Sequence, residues 1–152
     1  FKYSGLDRML AMAGGQALGQ AGLPPYVLVI SFILITLVFN LFIGSMSAKY
    51  AMFAPIFIPM FMMVGIAPEL TQASYRIGDS VSNIITPLNP YMIIILVFMQ
   101  QYVPKGGIGT LISLMLPYTI GFTIIWCIML LLWMSFGIPL GVDGHLEYPP
   151  PS

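Results

Sequence analysis

Residues 75–91, YRIGDSVSNIITPLNPY, place a cation, an anion and two prolines inside a chain that is otherwise strongly apolar. Arg76 and Asp79 are three residues apart, so on a helix they lie on one face within reach of each other. Pro87 and Pro90 then end that helix, because a proline has no N–H to donate and its ring clashes with the preceding turn. The apolar run YMIIILVFM follows. The stretch therefore predicts a membrane helix that is broken in its middle.

A helix broken at membrane depth has a functional implication. Its freed carbonyls are tolerated only where they are buried in protein or line a cavity, and such breaks mark substrate or ion sites in secondary transporters. A charge at the bilayer centre costs about 2.5–3.5 kcal/mol on insertion scales, so an Arg76–Asp79 pair indicates a functional site. The alternative is structural, because a buried ion pair can simply hold one helix against a neighbour.

The composition also indicates a membrane protein. Of the 152 residues, 59% are hydrophobic and 7% are charged, against about 25% charged residues in a soluble domain. The formal net charge is zero and no basic cluster occurs, which argues against a nucleic-acid partner. Cys127 is the single cysteine and sits among apolar residues as a small filler, and His145 has no neighbouring ligand for a metal. We expect no cofactor other than a coupling ion.

The first half of the chain contains two apolar arms joined by small residues. Residues 1–23 predict an interfacial helix, with a plain connecting loop as the alternative. Residues 24–66 then read as two apolar arms around a tip at 44–49, GSMSAK. A loop between two full spans would be longer and more polar, so the pattern favours a re-entrant hairpin over two ordinary spans.

The second half predicts three further segments. Residues 67–103 form the broken transmembrane helix, which starts with Pro68 at a position where proline costs no hydrogen bond and breaks at 86–90. Residues 108–136 form a complete transmembrane helix, and residues 137–152 an irregular tail. The chain opens on a phenylalanine without a signal peptide, so we expect its start to lie inside a longer protein.

Neutral oxygens cluster at the predicted tip and at the break. Together with unwound carbonyls, hydroxyl and amide oxygens are the hard ligands that a small cation prefers. We therefore predict that the following side chains are Na+ ligands, the alternative being that they cap helix ends: Ser45, Ser47, Thr86 and Asn89.

Three long stretches resemble a known family. NLFIGSMSAKYAMFAPIFIPM, APELTQASYRIGDSVSNIITPLNPY and GIGTLISLMLPYTIGFTIIW look like the C-terminal hairpin, broken helix and last span of the p-aminobenzoyl-glutamate transporter (AbgT) family, and GIPLGVDGHLEYPP looks like its C-terminal end. The resemblance implies an all-α integral membrane fold, here the second of two inverted repeats of a secondary transporter. It also implies a missing N-terminal repeat, a homodimer surrounded by lipid, and a multi-pass location in the bacterial inner membrane.

The same resemblance implies a function. Family members take up p-aminobenzoyl-glutamate or export antimetabolites such as sulfonamides, driven by a Na+ or proton gradient, and they are not enzymes. The family's transport positions fall on Pro68, Arg76, Asp79 and Pro87, and Tyr50 replaces a tryptophan that is common just past the hairpin tip. These five are the predicted substrate-binding residues. The alternative is a structural or assembly subunit without a substrate site of its own.

Overall fold

Helices make up nearly all of the regular structure in the computed structural model, which describes residues 5–142 and 144–148. Residues 1–4 of the predicted connector, and residues 143 and 149–152 of the predicted tail, lie outside the described residues. Within the described ranges the paired extended residues are confined to one antiparallel bridge between Ile66 and Glu147. The described chain is therefore all-helical, as the apolar runs predict, with these elements: α1 (Leu6–Ala21), α2 (Pro25–Asn40), α3 (Met46–Met62), α4 (Pro68–Ser82), α5 (Pro90–Tyr102) and α6 (Ile108–Ser135).

Helices α2 and α3 form an antiparallel pair joined by a link at residues 41–45. Phe39 packs against Phe53 near the link, and Phe32 packs against Phe57 and Phe61 further away, with centroids 4.7 and 5.2 Å apart. The turn is shorter than the predicted tip at 44–49, because the Ser45 side chain accepts a hydrogen bond from the Ala48 amide and caps α3 there. Four of the predicted tip residues thus belong to the first turn of α3.

Helix α4 lies against both α2 and α3. The α2–α4 approach is closest at Gly78, where an added Cβ would stand 2.6 Å from the Ile33 carbonyl oxygen and 2.8 Å from Thr36 Cβ. Contacts to α3 include an aromatic pair, with the Tyr50 and Tyr75 ring centroids 5.2 Å apart. A residue without a side chain thus lets the most polar helix of the chain enter between two apolar ones.

The break between α4 and α5 spans residues 83–89 and starts three residues earlier than the prolines alone predict. Pro87 has no N–H for the Asn83 carbonyl, and the side-chain nitrogen of Asn89 donates to that carbonyl instead, at 3.1 Å. The Asn89 side-chain oxygen also caps α5 by accepting from the Tyr91 amide at 3.0 Å. The break contacts the α2–α3 link, since a Cβ on Gly44 would lie 2.9 Å from Leu88 Cβ.

Helix α6, with 28 residues, is the one helix in the described part of the chain that is long and apolar enough to cross a membrane. Helices α2, α3 and α5 are apolar but shorter. Beyond α6, the chain returns to the start of α4, where the Tyr148 amide donates to the Gly65 carbonyl at 2.9 Å and the Ala67 amide donates to the Leu146 carbonyl at 3.2 Å. Residues 146 and 148 are thereby held against the start of α4.

Candidate substrate and ion site

A buried ion pair lies where α2, α3 and α4 meet. Asp79 on α4 pairs with Lys49 on α3, and both side chains are almost completely shielded, with relative exposures of 2% and 0%. Among the described residues this is the one ion pair, so the predicted Arg76–Asp79 pair is wrong. Asp79 faces the interior of the helix cluster, where Lys49 reaches it from the neighbouring helix, while the side chain of Arg76 extends to the exposed face of α4.

Asn40, the last residue of α2, completes the polar cluster. Its side-chain oxygen accepts a hydrogen bond from the Lys49 ammonium. Its amide nitrogen lies 2.8 Å from Ser82 Oγ and 3.1 Å from both the Asp79 carbonyl and Asn83 Oδ1. One buried amide therefore links the end of α2 to the ion pair and to the end of α4.

Thr86 is the predicted cation ligand that contacts this cluster, and most of the four predicted ligands already make hydrogen bonds within the protein. Thr86 Oγ1 is 2.8 Å from the Ser82 carbonyl and 3.3 Å from the Asn40 carbonyl. Ser45 caps α3 and Asn89 caps α5, while Ser47 lines a neighbouring cavity. These oxygens retain free lone pairs, so they remain able to coordinate a cation. The described residues contain no cluster of three or more His, Cys, Asp or Glu side chains.

The cavity has a volume of about 210 Å³ and lies between the start of α3 and the middle of α4. Its walls combine two tyrosine rings with one guanidinium group and two neutral polar side chains. The lining residues are Met46, Ser47, Tyr50, Ala51, Gln72, Tyr75 and Arg76.

Arg76 is available for a ligand. Its side chain is exposed, and its one hydrogen bond within the described chain is from Nη1 to the sulfur of Met46, at 3.2 Å. A thioether is a weak acceptor, so the guanidinium retains nearly all of its donor capacity. Tyr75, by contrast, is fixed, because its hydroxyl donates to the Met46 carbonyl at 2.7 Å. The site thus offers an uncommitted cation beside a rigid aromatic wall.

The structure brings together only some of the predicted substrate-binding residues. Tyr50 and Arg76 share the cavity, and Asp79 lies one helical turn beyond Arg76 in the buried cluster. Pro68 is the first residue of α4, and Pro87 lies within the break. The two prolines therefore shape the ends of the broken helix and do not line the cavity.

Sequence reasoning missed Lys49, Asn40 and Gln72. Lys49 was included in the hairpin tip, although it is one of only five Lys and Arg residues and is followed by an apolar arm. A cation within an apolar segment needs a buried anion as its partner, and Asp79 is the acidic residue in the middle of the broken helix. Asn40 stands at the end of an apolar run, where an amide also requires partners.

Short apolar helices packed around a broken helix, with a buried ion pair and an arginine-containing cavity between α3 and α4, are typical of membrane transporters. The comparison with known proteins agrees and is more specific. The AbgT putative transporter family matches residues 1–148, and the chain belongs to this family. The family is one of transporters and not of enzymes.

Three relatives illustrate the similarity. The p-aminobenzoyl-glutamate transport protein of Escherichia coli (strain K12) is 36% identical over 141 residues, which is 93% of this chain and 28% of that protein. The Alcanivorax borkumensis YdaH transporter is 50% identical with a TM-score of 0.85, over 93% of this chain and 30% of its own. MtrF of Neisseria gonorrhoeae, from a class of antimetabolite efflux pumps, is 43% identical with a TM-score of 0.83, over 99% of this chain and 29% of its own. This chain therefore spans less than a third of the length of these relatives.

Proposed function

We propose that this chain forms part of the substrate pathway of an ion-coupled secondary transporter for p-aminobenzoyl-glutamate or related folate-pathway antimetabolites. Two relatives support this substrate class, because one is a p-aminobenzoyl-glutamate transport protein and the other belongs to a class of antimetabolite efflux pumps. Uptake and sulfonamide-type efflux can use the same recognition surface, so the proposal concerns the substrate class and not the direction of transport.

The observation that carries the proposal is the juxtaposition of Arg76 and Tyr50 in one cavity. A guanidinium binds a carboxylate through two parallel hydrogen bonds, and an aromatic ring stacks on an aryl group. p-Aminobenzoyl-glutamate carries both groups. Asp79 lies one helical turn beyond Arg76 and pairs with Lys49 on α3. This pair fixes α3 against α4 and so sets the distance between the Tyr50 ring and the Arg76 guanidinium.

The cavity is smaller than a complete site for such a molecule. Small-molecule sites typically measure about 300–1,000 Å³, against about 210 Å³ here. We propose that the remaining walls come from a first, inverted repeat of the same transporter, and that residues 1–152 are the second repeat of a homodimer in the bacterial inner membrane. The coverage of less than a third of each relative supports this arrangement.

The short helices support a re-entrant hairpin. Helices α2 and α3 contain 16 and 17 residues, which at 1.5 Å per residue gives about 24–26 Å, less than the hydrocarbon thickness of about 30 Å. Their link then meets the break of α4–α5 within the membrane. We propose that Ser45, Thr86 and Asn89, at the link and the break, together with Ser47 in the first turn of α3, bind the coupling Na+, with proton coupling as the alternative.

The test is uptake of radiolabelled p-aminobenzoyl-glutamate by the full-length transporter in proteoliposomes, with Na+ and proton gradients imposed separately. We expect saturable flux that depends on one of the gradients. Arg76→Lys should abolish most of this flux, because lysine keeps the charge but lacks the planar fork that binds a carboxylate. Arg8→Lys, at an exposed position on α1, is the matched control and should transport normally.

Other outcomes would contradict the proposal. Equal flux per folded molecule in Arg76→Lys and wild type would exclude carboxylate recognition by Arg76. Absence of saturable flux under both gradients would favour a structural or assembly subunit.

A further inference from the structure

Gln72 is the second uncommitted polar group in the cavity. It lies four residues before Arg76 on α4, so both side chains project from the same face of the helix, and both are exposed and line the cavity. Within the described part of the chain, the Gln72 amide makes no hydrogen bond, and the guanidinium contacts only the Met46 sulfur. The cavity thus presents two adjacent polar groups that lack a strong partner.

These two groups differ in chemistry. A guanidinium only donates hydrogen bonds, whereas a carboxamide both donates and accepts. A ligand that forms hydrogen bonds with both side chains carries an anionic acceptor for Arg76. Next to that anion it carries a second group, for Gln72, that can both donate and accept a hydrogen bond. A secondary amide adjacent to a carboxylate has this pattern, and residues four apart on a helix have Cβ atoms about 5–6 Å apart, which suits two such neighbouring groups.

We propose that Gln72 is a specificity-determining residue that recognises the amide bond of an N-acylated amino acid whose carboxylate pairs with Arg76. This inference rests on the proposed function and deepens it. The Gln72 side-chain oxygen accepts from the ligand N–H, and Tyr50 and Tyr75 contact the acyl group. An aryl acid without the amide satisfies Arg76 but leaves Gln72 without a partner, so the transporter prefers aroyl amino acids to simple aryl acids.

The test compares two ligands that differ at one atom: p-aminobenzoyl-glutamate and its ester analogue, in which an oxygen replaces the amide N–H. Binding to the full-length transporter in detergent is measured for wild type, Gln72→Leu and Gln101→Leu. Wild type should prefer the amide by about threefold to tenfold, the range of one hydrogen bond. Gln72→Leu should bind both ligands equally, with its affinity for the ester little changed.

Gln101→Leu is the matched control, because Gln101 is an exposed glutamine on α5 outside the cavity, and it should retain the wild-type preference. If Gln72→Leu also retains the preference while wild type binds p-aminobenzoyl-glutamate, Gln72 does not read the amide and the inference is overturned, although the proposed function stands. If wild type binds neither ligand, the proposed function fails and the inference fails with it.

Discussion

At the level of single residues, the Lys49–Asp79 pair depends on the groups around it. Removing an ammonium and a carboxylate from water costs several kcal/mol per ion, and their attraction repays this only if the remaining donors and acceptors are satisfied. Asn40 provides these hydrogen bonds, because its side-chain oxygen accepts from the Lys49 ammonium and its side-chain nitrogen donates to the Asp79 carbonyl near the end of α4. The pair is therefore one unit with the helix ends that surround it.

Removing one partner of this pair should destabilise the protein strongly. We expect Lys49→Met to lower the free energy of unfolding by about 3–5 kcal/mol, because it leaves the Asp79 carboxylate buried without a counter-charge. The double variant Lys49→Met with Asp79→Leu should be much less destabilised than the sum of the two single variants, since it leaves no buried charge. Denaturant unfolding of the four proteins in detergent measures this coupling, and additive effects would show that the two residues do not interact.

Tyr50 should affect substrate affinity through stacking. Because an aromatic pair contributes about 0.5–1.5 kcal/mol beyond area burial, Tyr50→Ala should weaken p-aminobenzoyl-glutamate binding about threefold to tenfold. Tyr50→Trp should bind at least as well as wild type, since its ring is larger. Tyr118→Ala, an exposed tyrosine on α6, provides the control in the same binding assay. A loss of affinity in Tyr50→Trp as large as in Tyr50→Ala would argue against stacking.

At the level of helices, the contact between α2 and α4 depends on Gly78. Gly78→Ala should lower the free energy of unfolding by about 1–3 kcal/mol, because its methyl group would meet the Ile33 carbonyl and Thr36 on a helix that cannot move away without disturbing Asn40. Gly121→Ala on α6, where nothing lies within 4 Å of the added methyl group, should be neutral or slightly stabilising. Thermal unfolding in detergent compares the two variants, and equal midpoints would exclude close packing at Gly78.

Features that are set by residues within one segment could be predicted from the sequence, whereas features that depend on contacts with distant residues could not. The break and α6 could be predicted, because Pro87, Pro90 and an uninterrupted apolar run act on their own segment. The earlier end of α4 was missed, since it depends on the Asn89 side chain binding the Asn83 carbonyl. The ion-pair partner of Asp79 was also missed, because Lys49 lies thirty residues away in sequence, and only the packing of α3 on α4 brings it close.

At the level of the whole molecule, the chain covers less than a third of each relative, and the walls that we propose to complete its cavity lie outside residues 1–152. We therefore expect residues 1–152, expressed alone, neither to bind nor to transport p-aminobenzoyl-glutamate. Equilibrium binding and vesicle flux, each compared with the full-length transporter, measure this. Saturable uptake by the 152-residue chain would contradict the two-repeat arrangement.

The Lys49–Asp79 pair also has an electrical consequence. Moving one elementary charge across the membrane potential changes the energy by about 2.3 kcal/mol per 100 mV, but a paired ammonium and carboxylate carry no net charge. The pair would therefore add no voltage dependence to a conformational change that moves α3 and α4 together. A change that draws Lys49 away from Asp79 along the membrane normal would instead produce a transient current on a solid-supported membrane, even before any substrate crosses.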